Sequence, residues 1–295
     1  MNAKPLKPKT TYADQLALIK GRGCVVESDE RAIACLSAIN YYRLTAYFLP
    51  FRDTKTGIYT ARVSFDQIMG IYAFDQALRF LLGSVIEDIE ISLRANLAYY
   101  HSHKHEALGY EEASNFDPTF NWSELVRKMR RDKLRRKESR IFKHHEATYG
   151  GKFPLWVIVE FFSFGTLNYF IKGLKAEDKT AIANIFQTDP EHLNNWLAIL
   201  NDLRNLCAHG GRLYYGHFSK HPTPLSNEKF NEKKKNSLYA QLLLLKWLYP
   251  DRQKWDTSIV PQLRRLVEAH SKHIRLSHMG FSNTWWKELH WSHAE

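Results

Sequence analysis

The sequence predicts an all-α protein. Apolar residues recur at three- and four-residue spacing over long stretches, and the alternating runs expected of strands are scarce. With 44% hydrophobic and 14% aromatic residues in 295, there is apolar material for one large core or two smaller ones.

In SDERAIACLSAINYYRLTAYFLPF (28–51), Ser28 is placed to cap a helix whose stripe is Ile33, Leu36, Ile39 and then Tyr42 or Arg43, ending near Pro50. FRDTKTGIYTARV (51–63) carries turn punctuation and predicts a short hairpin or an irregular loop, with a boundary near 64. Residues 64–103 read as one long helix, or two broken near Gly83, with Ile68, Ile71, Tyr72, Leu78, Leu82, Val85, Ile89, Leu93 and Leu97 on one stripe. FPLWVIVEFFSFGTLNYFIKGL (153–174) predicts a buried helix with Pro154 near its start and Gly165 as a kink or break.

PEHLNNWLAILNDLRNLCAH (190–209) turns Leu193, Trp196, Leu197, Leu200 and Leu203 inward, followed by Leu206 or Cys207, and stops at Gly210 and Gly211. A loop over 219–236, a helix over 237–249 and one or two more helices from Pro261 complete the chain, in which no fixed-period repeat is seen. The expected organisation is an N-terminal helical segment (1–63), a helical core (64–218) with a basic insert around 126–145, and a basic linker with C-terminal helices (219–295).

The net charge of +11 favours polyanionic partners, with nucleic acid leading. Cys24, Cys35 and Cys207 form no C-x-x-C pair, so a reducing cytoplasm fits better than a disulfide framework. The basic start is followed by no apolar segment of signal-peptide type, and no run is long enough to span a membrane, so no membrane association is expected. His103, His105, His144 and His145 lack the spacing of a metal-binding set, and neither metal nor cofactor is expected.

The densest chemistry lies in RNLCAHGGRLYY (204–215), at the end of an amphipathic helix. On an ideal helix Arg204 and His209 stand about 140° apart, but the two glycines allow the chain to leave helical geometry and His209 to swing toward Arg204 and Asn205. A histidine exchanges protons near neutral pH, and an arginine stabilises a phosphorane oxygen. Together they suit cleavage of RNA by its own 2′-hydroxyl, although one histidine does not easily serve as both base and acid. On spacing alone, a solvated helix end with a capping histidine explains the same residues.

RNLCAH resembles the Arg-Asn-x-x-x-His motif of HEPN-type ribonucleases. INYYRLTAYFLPF (39–51), IYAFDQALRFLL (71–82), IEDIEISLRANLAYY (86–100), LWVIVEFFSFGTLNYF (155–170) and LRNLCAHGGRLYY (203–215) occur in the order found in the abortive-infection Abi-like family (the AbiD/AbiF group) of bacterial phage-defence proteins. The resemblance implies an all-α, HEPN-like helical bundle with additional N- and C-terminal helices. It further implies a metal-independent endoribonuclease with Arg204, Asn205 and His209 at the motif positions and Asp202 as the charge before the arginine. Gly210 departs from the second histidine that many relatives carry there.

A second pair, Arg94 and His101, shares one helix face. Glu87 and Glu90 offer Arg94 a structural role. The alternative is a second half-site, since related nuclease architectures, type VI CRISPR effectors among them, juxtapose two such motifs. The catalytic set would then be completed either by His101 within one chain or by a homodimer that joins two copies of Arg204 and His209. Arg127, Lys128, Arg130, Arg131, Lys133, Arg135, Arg136, Lys137 and Arg140 form a charge block opposed by Asp132 and Glu138, suited to RNA phosphates or else a solvated face. Lys233 to Lys235, His217, Lys220 and His221 extend this track, and Tyr214, Tyr215 and Phe218 suit either base stacking or the core. A non-catalytic RNA-binding module, and a toxin held inactive by a regulatory RNA or antitoxin, are the competing functions.

Overall fold

A computed structural model describes residues 8–60, 62–225 and 234–291. Its helices are α1 (Tyr12–Gly21), α2 (Asp29–Ala38), α3 (Phe65–His105), α4 (Trp122–Arg135), α5 (Arg140–Tyr149), α6 (Phe164–Gly173), α7 (Ala176–Ile185), α8 (Pro190–Ala208), α9 (Leu238–Leu248) and α10 (Val260–Ala269), joined by shorter helical turns. No strand forms among the described residues, and the fold is all-α. Over 51–60 the backbone makes only a pinched turn, with Asp53 N–H donating to Ile58 O (2.8 Å) and Thr60 N–H to Phe51 O (2.7 Å).

Helix α3 is the spine. It runs 41 residues, about 60 Å at 1.5 Å per residue, with Ile68, Ile71, Leu78, Leu82, Val85, Ile89, Leu93 and Leu97 buried along one stripe. It passes through Gly83 unbroken. One glycine costs a helix about 1 kcal/mol, less than the ~2 kcal/mol contributed by each large apolar side chain buried on either side of it. Helices α7, α8 and α10 and the turn Leu155–Ile158 all pack on α3.

Two expected helices are interrupted, each by a side-chain cap. The first stops at Ala38, because Asn40 caps a new turn by accepting the Tyr42 N–H through its side chain (2.9 Å). The second breaks at Phe162 rather than at Gly165. There Ser163 caps α6, while the buried Asp132 carboxylate of α4 accepts the Ser163 N–H (2.9 Å) and the Thr166 hydroxyl (2.5 Å).

Helix α8 starts at Pro190 under an Asp189 cap and buries Leu193, Trp196, Leu197, Leu200 and Leu203 against α3, α6 and α9. Trp196 stacks on Trp247 of α9 (ring centroids 5.2 Å apart) and donates its indole N–H to Thr223 O (2.9 Å). Among the described residues no helix is long and apolar enough to cross a membrane.

Candidate functional site at the end of helix α8

His209 caps the C-terminal end of α8 (φ −98°, ψ 13°), and Gly210 follows at φ +68°. Gly211 N–H then donates to Leu206 O (2.6 Å) and Gly210 N–H to Cys207 O (3.3 Å), the paired bonds that close a helix through a left-handed glycine. A side chain at 210 would be strained by that φ and would also place its Cβ 2.8 Å from an Arg43 guanidinium nitrogen. A histidine here would have to adopt the left-handed φ and push the end of the Arg43 side chain aside.

The turn is held from beneath. Arg43 donates to Gly210 O and, through Nε, to the Tyr72 hydroxyl (3.3 Å). Arg79 Nη1 donates to Gly211 O (3.2 Å) and to Asp75 Oδ2 (2.5 Å). The fully buried Asp75 carboxylate also accepts the N–H groups of Leu213 (3.0 Å) and Tyr214 (2.6 Å) and the Tyr47 hydroxyl (2.7 Å). Burial pushes its pKa up and these donors oppose that shift. A buried carboxylate is tolerable only when its oxygens are satisfied in this way. Sequence reasoning missed Arg43, Asp75 and Arg79 as site-forming residues. The available signal was a carboxylate between Ile71 and Leu78 on an otherwise apolar stripe, with an arginine four residues on.

The two flanks of α8 then diverge. Asp202, Asn205 and His209 line a pocket of about 470 Å³ whose far wall is the segment after the turn, carrying His217, Phe218 and Lys220. Lys220 Nζ lies 2.7 Å from Asp202 Oδ2 across that pocket. Arg204 faces a different groove of about 680 Å³ with Phe80, Glu87, Glu90, Arg94 and Glu160. The expected swing of His209 toward Arg204 does not occur: the backbone already departs from helical geometry at His209, yet the two side chains line different pockets. Burial pushes the Cys207 thiol up to about 12, which disfavours the nucleophilic thiolate.

The second arginine–histidine pair has a different environment. Arg94 pairs with Glu90 and donates to Val159 O (2.5 Å), the structural role offered by its acidic neighbours, although Glu90 rather than Glu87 supplies it. His101 is fully buried, its ring 5.3 Å from Phe170 and 4.7 Å from His105, and neither nitrogen has a hydrogen-bond partner among the described residues. It lies 22 residues along α3 from Arg79, which touches Gly211, a rise of about 33 Å. The structure does not bring His101 to His209.

A family model described as Abi-like protein matches residues 34–215. The chain belongs to the Abi-like family. The match covers Arg43, Asp75, Arg79 and the whole RNLCAHGGRLYY turn of this Abi-like protein, and ends two residues before His217. No curated protein and no solved structure matches the chain.

The basic block of the Abi-like chain spans α4, the turn after it and the start of α5. Its charges are partly spent internally. Glu124, a residue outside the block, pairs with Arg127 (2.6 Å) and Lys128 (3.3 Å). Arg131 (3.2 Å) and Arg135 (3.7 Å) flank the buried Asp132. Lys133 donates to Gly151 O (3.1 Å) and lies 4.0 Å over the Phe153 ring. Arg130, Arg136, Lys137 and Arg140 are exposed and form no ion pair among the described residues. Tyr214 and Phe218 are buried in the core, leaving Tyr215 exposed, and Lys233 lies outside the described residues. His103, His144 and His145 each bond one helical turn back or forward, to Tyr99 O, Thr148 Oγ1 and Ile141 O, and His105 bonds Asp178 (3.0 Å).

Proposed function

We propose that this Abi-like protein is a phage-defence endoribonuclease acting in the cytoplasm, which cleaves RNA by attack of the 2′-hydroxyl and needs no metal. The observation that carries the reading is an exposed imidazole at His209, without a hydrogen bond among the described residues, on a turn that a buried carboxylate and two arginines brace. A network of this kind orders the backbone beneath a solvent-facing side chain, as a proton-transfer group requires. The Abi-like membership and the resemblance of RNLCAH to the HEPN motif agree with it. Arg130, Arg136, Lys137 and Arg140, exposed and without an ion pair among the described residues, supply charge for RNA phosphates.

The test is cleavage of total cellular RNA in EDTA with mapping of the new ends. The expected products carry 2′,3′-cyclic phosphate and 5′-hydroxyl termini, and a 2′-deoxy substitution at the cut site abolishes the reaction. Strict dependence on a divalent ion would sink this mechanism. Tight RNA binding without cleavage would favour a non-catalytic RNA-binding module, and cleavage appearing only after removal of a co-purifying RNA or protein would favour a masked toxin.

A second reading concerns assembly. Phe80 and Ile91 are 74% and 57% exposed on the groove that holds Arg204, two large apolar side chains among charged neighbours that a second copy of the chain would cover. A homodimer formed there offers Arg204 of one chain to the site of another. Sedimentation of the wild type against Phe80→Asp tests it, with a monomeric wild type as the contrary result.

A further inference from the structure

The reading above leaves one imidazole to both take and give a proton. The wall of the His209 pocket that does not come from α8 supplies what is missing. His217 is exposed, lines the same 470 Å³ pocket as His209 and makes no hydrogen bond or ion pair among the described residues. Its backbone is fixed on both sides. Upstream, the N–H groups of Leu213 and Tyr214 are held by Asp75, and Gly216 N–H donates to Leu213 O (3.0 Å). Downstream, Phe218 is buried with its N–H on Asn236 O (3.0 Å), and Gln241 of α9 donates to Lys220 O (3.3 Å). A free imidazole on a segment anchored before and after it faces the pocket that the motif histidine faces. Lys220 brings an ammonium to the same pocket, and Asp202 occupies only one of its three donors.

We infer that His209 and His217 of one chain form the acid–base pair of this site, with Lys220 stabilising the phosphate charge, and that the substrate is a single-stranded RNA phosphodiester seated between α8 and the 211–220 segment. In this step the 2′-oxygen bonds to phosphorus while the P–O5′ bond breaks. One imidazole takes the 2′-hydroxyl proton, and the other, entering protonated, gives its proton to O5′. The products are a 2′,3′-cyclic phosphate and a 5′-hydroxyl, and proton exchange with water resets the pair without any co-reactant. Lys220 faces the developing phosphorane charge, as a cation beside a transferring phosphoryl group does elsewhere.

This inference rests on the endoribonuclease reading, and its test separates the two. On a short single-stranded RNA, His217→Ala is expected to lose ~10²-fold or more in cleavage, as His209→Ala does, with RNA affinity within about twofold of wild type. A substrate with sulfur in place of the 5′-leaving oxygen needs no proton on departure, so it should restore whichever variant lacks the acid and not the other. Mixing His209→Ala with His217→Ala should restore nothing, since both groups belong to one chain. Inorganic phosphate, followed by imidazole NMR, should shift His209 and His217 along one saturation curve, which Lys220→Ala weakens. A fully active His217→Ala beside a dead His209→Ala overturns the inference and leaves the nuclease reading standing. Recovery on mixing, or phosphate shifts at only one imidazole or at neither, also overturns it. A wild type that never cleaves removes the nuclease reading, and the acid–base pair with it.

Discussion

Arg94 with His101 on α3 and Arg204 with His209 on α8 read alike in sequence, each an arginine followed within seven residues by a histidine. In the fold they are opposites. The first arginine is locked to Glu90 and Val159 O, and its histidine is enclosed by aromatic rings, with no hydrogen-bond partner for either nitrogen among the described residues. The second arginine lines a groove with no hydrogen bond or ion pair among the described residues, and its histidine faces solvent on a braced turn. Spacing therefore does not distinguish an exposed histidine from a packed one. The contacts that the fold builds around each of them do.

The largest expected effect is on the brace. Asp75→Ala strips a buried carboxylate from Arg79, Tyr47 and two backbone N–H groups, and should cost about 3–5 kcal/mol, the scale for breaking a buried ion pair. Urea unfolding measures it, and a loss below 1 kcal/mol would mean that the turn is held by other contacts. Next comes the direct contrast between the histidines. His209→Ala should lower cleavage ~10²-fold or more, whereas His101→Ala, at equal folded concentration, should leave it within a few-fold. Equal losses would erase the distinction drawn above.

A smaller effect is expected from the charge block. Reversing Arg130, Arg136, Lys137 and Arg140 together should flatten log K against log salt by roughly 2 to 3 units, at about 0.7 for each phosphate contact on a single strand. Reversing Arg127, Lys128 and Arg131, which already have carboxylate partners, should flatten it less. A slope indistinguishable from wild type for both sets would return the whole block to a solvated face.

The smallest effect is the acid response of His101. Burial holds its pKa down to about 4, with repulsion from His105 adding to the shift, while an unfolded histidine protonates near 6.5. As the pH falls from 6.5 toward 4, the unfolded chain binds the extra proton, and stability should drop by up to ~1.4 kcal/mol per pH unit. Above 6.5 the term vanishes. His101→Phe should remove that slope. Urea midpoints at pH 7 and pH 5 for both proteins give the comparison, and identical slopes would place the acid sensitivity elsewhere.

Local pattern in the sequence was enough for the all-α class, the apolar stripe of α3, the inward face of α8 and its stop at two glycines, because helical periodicity and end signals act over a few residues. The same local information misplaced the breaks at Ile39 and Phe162. The first was set by an asparagine cap that the apolar stripe concealed, and the second by Asp132 arriving from another helix. Arg204, Asn205 and His209 were also legible, through the form of their motif, but their division between two flanks was not. That division depends on where the left-handed turn begins and on which surfaces α3 and the 211–220 segment present to either side of α8. The Asp75 carboxylate joins residues more than 130 positions apart, and His217 meets the His209 pocket only after the chain has turned back across α8. Contacts of that range carry no periodic signature, so only the packed tertiary structure decided which histidine is exposed and what stands opposite it.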